Sequence, residues 1–126
     1  MRATSFPEYA HAIQEILDSL IATGEVTLTT LQIDQRSSLR GHIAGVLRFE
    51  DSSELHFRLF VDTSRTSPRL MYAYHYQAID KALIFRYDNA AHRPKLPQPE
   101  HKHTPSGVET SHAPRLEQVI ALILKG

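Results

Sequence analysis

Arg-Gly-His-Ile-Ala-Gly-Val-Leu-Arg-Phe (Arg40 to Phe49) and Leu-His-Phe-Arg-Leu-Phe-Val (Leu55 to Val61) decide the fold. Side chains alternate across a strand, so a period of two with one apolar face marks a half-buried strand. Ile43, Leu47 and Phe49 fall on one face of the first segment, with Arg40, His42 and Arg48 on the other. In the second, Leu55, Phe57, Leu59 and Val61 alternate with His56, Arg58 and Phe60. Glu50-Asp51-Ser52-Ser53 supplies the turn between them, since short polar side chains tolerate tight backbone.

Working towards the N-terminus, Val26 to Ile33 is rich in β-branched residues and reads as a further strand. Before it, residues 7 to 23 read as a helix. Tyr9, Ile13, Ile16, Leu17 and Leu20 recur at helical spacing, Ser5 and Pro7 suit its start, and Gly24 closes it. Working towards the C-terminus, Thr63 to Pro68 is a polar loop. Leu70 to Gln77 and Ala82 to Asp88 then form a hairpin turning at Ile79-Asp80. A two-residue turn sets His75 opposite Ile84 and puts His75, Arg86 and Asp88 on one face. Tyr72, Tyr74, Tyr76, Leu83, Phe85 and Tyr87 take the other. A turn of another length, or a bulge, would reassign the faces of one strand.

Asn89 to Thr110 has no periodicity and reads as a long loop rich in histidine and proline. Leu116, Val119, Ile120, Leu122, Ile123 and Leu124 then form a closing helix. The expected architecture is a single α+β domain over residues 1–126: N-terminal helix, antiparallel sheet of about five strands, long loop, C-terminal helix. A chain of 126 residues is long enough for one hydrophobic core. Without cysteine it forms neither disulfides nor thiolate metal sites, so any metal must be held by histidine and carboxylate. No apolar run approaches the roughly 20 residues that span a bilayer, and Met1 to Glu8 lacks the apolar segment of a secretory signal. The expectation is a cytoplasmic protein with no membrane partner.

The zero net charge hides an asymmetry. Residues 1 to 63 carry five Lys/Arg against nine Asp/Glu, whereas residues 64 to 103 carry seven against three. That basic half also holds His75, His92, His101 and His103, beside Arg86, Asp88, Asn89, Arg93 and Lys102. Imidazole exchanges protons near neutral pH and ligates metals, and basic charge favours a phosphate backbone. Three chemistries fit. A metal-independent ribonuclease needs a base for the ribose 2′-hydroxyl, an acid for the leaving 5′-oxygen and cations for the phosphorane charge. On that reading His92 and His103 are base and acid in unassigned order, Arg86 and Lys102 hold phosphate, Asp88 orients a histidine and His75 lies beside them. Tyr74, Asn89, Arg93 and His101 contact the substrate, and no cofactor is needed. In the second chemistry His101 and His103, two apart in an extended segment, bind a divalent metal with Asp88 or His92. In the third the segment is a non-enzymatic protein interface. His11, His42, His56 and His112 stand singly and read as structural or solvated, while the acidic N-terminal half is a docking surface for a basic partner.

Tyr72 to Gln77 (Y-A-Y-H-Y-Q), Leu83 to Ala90 (L-I-F-R-Y-D-N-A), His92 and the His-Lys-His of 101 to 103 together resemble the TumE family. The resemblance covers most of the chain, from the Gly41/Gly45 strand through Phe49, Leu55 and Phe57 to the terminal helix. It implies a toxin of a toxin–antitoxin pair, checked by a DNA-binding antitoxin encoded beside it. RNA is the expected target; the alternative is a growth-inhibiting or regulatory protein-binding module. The oligomeric state stays open. This chain departs from the family pattern at Arg93, where the family has a second histidine, and at Asp51-Ser52 and Asp80-Lys81, where Asp-Gly turns are frequent.

Overall fold

The computed structural model describes residues 3–90 and 99–125. Helix α1 (Phe6–Ile21) is followed by a seven-stranded antiparallel meander in which each strand pairs with the next. The strands are β1 (Val26–Gln35), β2 (Arg40–Phe49), β3 (Glu54–Asp62), β4 (Arg69–Gln77), β5 (Leu83–Asp88), β6 (His101–Thr104) and β7 (Gly107–Thr110), and helix α2 (Leu116–Lys125) closes the chain. The α+β expectation holds, with a larger sheet than the five strands expected. None of the described helices is long and apolar enough to cross a membrane.

The sheet has one covered face. Ser5 caps α1, its Oγ accepting from the Glu8 amide at 3.3 Å, while the Glu8 carboxylate accepts from the Thr4 hydroxyl at 2.8 Å. The apolar stripe of α1 (Phe6, Ala10, Ile13, Leu17) and that of α2 (Leu116, Val119, Ile120) share one buried cluster with Ile43, Leu47, Phe57, Leu59, Tyr72, Tyr74, Tyr76 and Tyr87. Arg69 fastens α2 to the sheet. It donates to the Tyr74 hydroxyl at 2.7 Å, to the Pro114 carbonyl and to the Ala113 carbonyl at 3.0 Å, with its guanidinium 4.4 Å above the Tyr72 ring. The opposite face carries the polar half of each alternating strand.

Two expectations need correction. The stretch from Asn89 to Thr110 is not one loop: His101–Thr104 and Gly107–Thr110 pair as a hairpin, and β6 joins β5 through Arg86↔His103, Tyr87↔Lys102 and Asp88↔His101. The β4–β5 register also differs. The turn has three residues, Ile79 to Lys81, with Lys81 at φ 71° and the Ala78 amide bonded to the Ala82 carbonyl at 2.9 Å. A register shift follows between Tyr76↔Phe85 and Gln77↔Leu83, so His75 faces Arg86 rather than Ile84. The longer turn and the bulge each shift the pairing by one residue. Together they shift it by two, and the parity of the faces survives. Leu83 is the exception, lying opposite Gln77 beyond the bulge.

The two departures in turn chemistry have a conformational consequence. Ser52 at φ 67° and Lys81 at φ 71° both occupy the left-handed region, where an L side chain costs roughly 1–2 kcal/mol. Ser52→Gly and Lys81→Gly are each expected to raise stability by about 1 kcal/mol, read as a higher urea midpoint at unchanged slope. An unchanged or lower midpoint would refute the strain.

Candidate active site on the open face

Pairing alone assembles a row of cations and imidazoles across four strands. His56 of β3 lies opposite His75 of β4, His75 opposite Arg86 of β5, and Arg86 opposite His103 of β6. Directly opposed residues share a face, so all four project on the side away from the helices. The next row along the strands runs Arg58, Ala73, Asp88, His101.

Side-chain contacts link the first three members of the row. The His56 and His75 rings meet edge to face with centroids 6.3 Å apart, and the Glu54 carboxylate anchors the far nitrogen of His56 at 3.3 Å. Arg86 Nη1 approaches His75 Nδ1 at 3.4 Å. A guanidinium only donates, so His75 Nδ1 accepts and the ring is neutral in this arrangement. Burial first, and then the Arg86 charge, hold the His75 pKa below its ordinary value, consistent with that neutral ring.

Asp88 lies in that next row, on the same face, and is 4% exposed. Its Oδ2 accepts from Arg86 Nε at 2.7 Å and lies 3.6 Å from His103 Nε2. Its Oδ1 is 2.5 Å from His101 Nε2 and accepts from the Ala90 amide at 3.2 Å. His101, 2% exposed, has Nδ1 2.6 Å from the Pro99 carbonyl. The His101 and His103 rings are 4.8 Å apart.

Two hollows open on this face. One of about 480 Å³ is lined by Gln32, Ala44, His56, Arg58, His75 and Arg86 among others. A second, of about 290 Å³, includes Arg58, Arg86, Asp88 and Asn89. A larger cleft of about 750 Å³ lies on the helix side, lined by Tyr9, Ile13, Arg69, Tyr74 and Leu116 among others. Its Arg69 is committed to a tyrosine and two carbonyls. The guanidiniums of Arg58 and Arg86, which border both hollows, and the imidazoles of His56 and His75 in the first make the open face the better candidate despite its smaller volumes.

The expected residues divide accordingly. His75, Arg86, Asp88, His101 and His103 converge. Lys102 does not: it is opposite the buried Tyr87, and its ammonium lies 5.1 Å from the Tyr87 ring and 5.7 Å from the Phe85 ring, on the helix side. Tyr74 is fully buried and bonded to Arg69, so it has no face for a base to stack on. Asn89 continues the β4 pairing with its side chain, accepting from the Tyr72 amide at 3.1 Å and donating to the Leu70 carbonyl at 3.0 Å. His101 is too buried to reach a substrate. His92 and Arg93 lie outside the described residues.

His56 and Arg58 are residues that the sequence reading left aside. The signal was present, because both occupy polar positions of the strand whose alternation was clearest; what was missing was the register that sets them beside His75 and Ala73. Among the described residues Arg58 makes no ion pair, which leaves its charge available on the face.

A family model described as "Toxin TumE" matches residues 9–126. No curated protein and no solved structure matches the chain.

Proposed function

The chain belongs to the TumE toxin family, and on that premise we propose that it arrests growth by cleaving RNA on the open face of its sheet. The observation that carries this reading is the row His56, His75, Arg86, His103, with buried Asp88 in the next row beside it. RNA supplies its own nucleophile, the 2′-hydroxyl, so the site needs a proton acceptor, phosphate-binding cations and stabilisation of the leaving oxygen. Each has a place in the row.

Arg86 and Arg58 border both hollows and take the scissile phosphate. When Arg86 turns from His75 to the phosphate, His75 Nδ1 loses its donor and becomes the base for the 2′-hydroxyl. At about 4.8 Å per strand step, the His75 and His103 backbones lie roughly 10 Å apart with Arg86 between them. A phosphate over Arg86 then has its attacking oxygen towards His75 and its leaving 5′-oxygen towards His103. His75 thus stands in for His92 in the expected His92/His103 pair, and the leaving 5′-oxygen is stabilised on the His103 side and takes its proton from solvent.

On this reading the protein works in the cytoplasm, where its substrate is, and is held in check by a DNA-binding antitoxin. The test uses purified protein, total RNA and divalent metal ions supplied. The wild type is expected to release discrete fragments, and Arg86→Ala to slow their release by roughly 10²–10³-fold, the usual loss when a charge-stabilising donor is removed. RNA left intact by soluble wild type, or cleaved equally by Arg86→Ala, would overturn it. In that case the non-enzymatic inhibitor becomes the better account.

A further inference from the structure

We propose that Asp88, His101 and His103 hold a divalent metal ion of the zinc class at the His103 end of the row. One ligand atom from each of these residues lies within 4.8 Å of the other two. The convergence is built by the fold. Asp88 and His101 are direct partners across β5 and β6, and His103 is diagonal to Asp88 on the same face, two residues along β6. Two imidazoles and one carboxylate form a donor set that suits zinc and neighbouring first-row ions and leaves coordination positions open for water or substrate.

The hydrogen bonds of His101 add a second argument. A carbonyl only accepts, so the ring nitrogen facing Pro99 at 2.6 Å carries a proton. The other nitrogen then faces the Asp88 oxygen at 2.5 Å. A shared proton satisfies that contact, and a metal ion takes its place once the two atoms part slightly to bond lengths of about 2.0–2.1 Å each. A histidine locked through its far N–H by a backbone carbonyl, with its other nitrogen turned to a carboxylate, is the usual arrangement around a metal. Asp88 ligates through one oxygen and keeps Arg86 on the other.

Access completes the argument. Asp88 and His101 are buried, while the His103 side chain is 26% exposed, so the site is shielded beneath and open towards the row. The site stands on this geometry alone; its role rests on the RNA reading. There an ion beside Arg86 accepts charge from the leaving 5′-oxygen as a Lewis acid.

The experiment needs no RNA. The full chain without a histidine tag is stripped with a chelator, then titrated with Zn²⁺ by calorimetry and with Co²⁺ by visible absorption. One ion per chain is expected, with a higher melting temperature in its presence. His103→Ala changes a half-exposed ring that the fold can lose, so it separates lost ligation from unfolding. It and Asp88→Asn are expected to weaken binding by more than about tenfold, since even changes around the ligands cost that much. Absence of binding by both ions, or equal affinity in wild type and His103→Ala, would overturn the site. Neither outcome bears on whether RNA is cleaved, and failure to cleave RNA leaves the binding result standing.

Discussion

Asp88→Asn is expected to abolish growth arrest while leaving a folded protein. The Asp88 carboxylate bonds Arg86 at 2.7 Å, His101 at 2.5 Å and the Ala90 amide at 3.2 Å, at 4% exposure. Asparagine keeps the shape but has one acceptor oxygen in place of two and carries no charge. Its amide cannot accept from Arg86 or His101, so one of them loses its partner and Arg86 loses its counter-charge. Removing one member of a buried ion pair typically costs 3–5 kcal/mol; the low end, roughly 3 kcal/mol, applies because Arg86 reaches solvent. Folding survives a loss of that size only if the parent has margin to spare, so a denaturant melt must accompany the growth curve. Arg86 would swing away from its place in the row and the proposed metal site would lose its carboxylate. Arrest retained at matched soluble expression would show that the toxic activity lies elsewhere.

Phe6 and Gly41 are expected to be strongly coupled, and each alone to be costly. A Cβ at position 41 would lie 2.3 Å from two atoms of the Phe6 ring and 2.5 Å from a third. That ring is fully buried, and the Phe6 amide is tied to the Ser38 carbonyl at 2.8 Å, so it has nowhere to retreat. Gly41→Ala is therefore expected to destabilise by roughly 1–3 kcal/mol through overpacking. Phe6→Ala removes a whole buried ring and should cost about 3–5 kcal/mol. In the double variant the new methyl enters the space the ring vacates. Its cost should fall short of the sum of the singles by more than about 1 kcal/mol, read from urea melts as a double-mutant cycle. Additive costs would contradict the close approach. Phe6→Ala also serves as a control for Asp88→Asn: it is equally destabilised, yet its site is intact, and it should still arrest growth while it folds.

Most of the sheet was legible because its strands alternate cleanly. Leu55 to Val61 announces its two faces without help, and Ser5, Pro7 and Gly24 bracket the first helix. The hairpin after Gln77 was legible in its faces but not in its register. No local signal gives the length of a turn whose left-handed residue is lysine, or the bulge that compensates it. β6 and β7 were missed for a different reason. Four-residue strands are too short to show a period, and the prolines around His101 suggest irregular backbone. That miss had a functional cost, because the register of β6 separates His103 from Lys102. One residue of parity places the first on the open face and the second on the aromatic core. The composition of the basic segment gives a charge but not its place: among the described residues Arg86 lies on the open face, while Arg69 and Lys102 lie on the helix side.

The central claim is that growth arrest depends on the open face, and one comparison tests it most directly. Cultures induced for the wild type, for Arg86→Ala and for Lys102→Ala, at matched soluble levels, are followed for growth and for new RNA 5′-ends. The account predicts arrest and new ends from the wild type and from Lys102→Ala, and neither from Arg86→Ala. Arrest with new ends from Arg86→Ala, or their loss only in Lys102→Ala, would contradict it and move the site to the other side of the sheet.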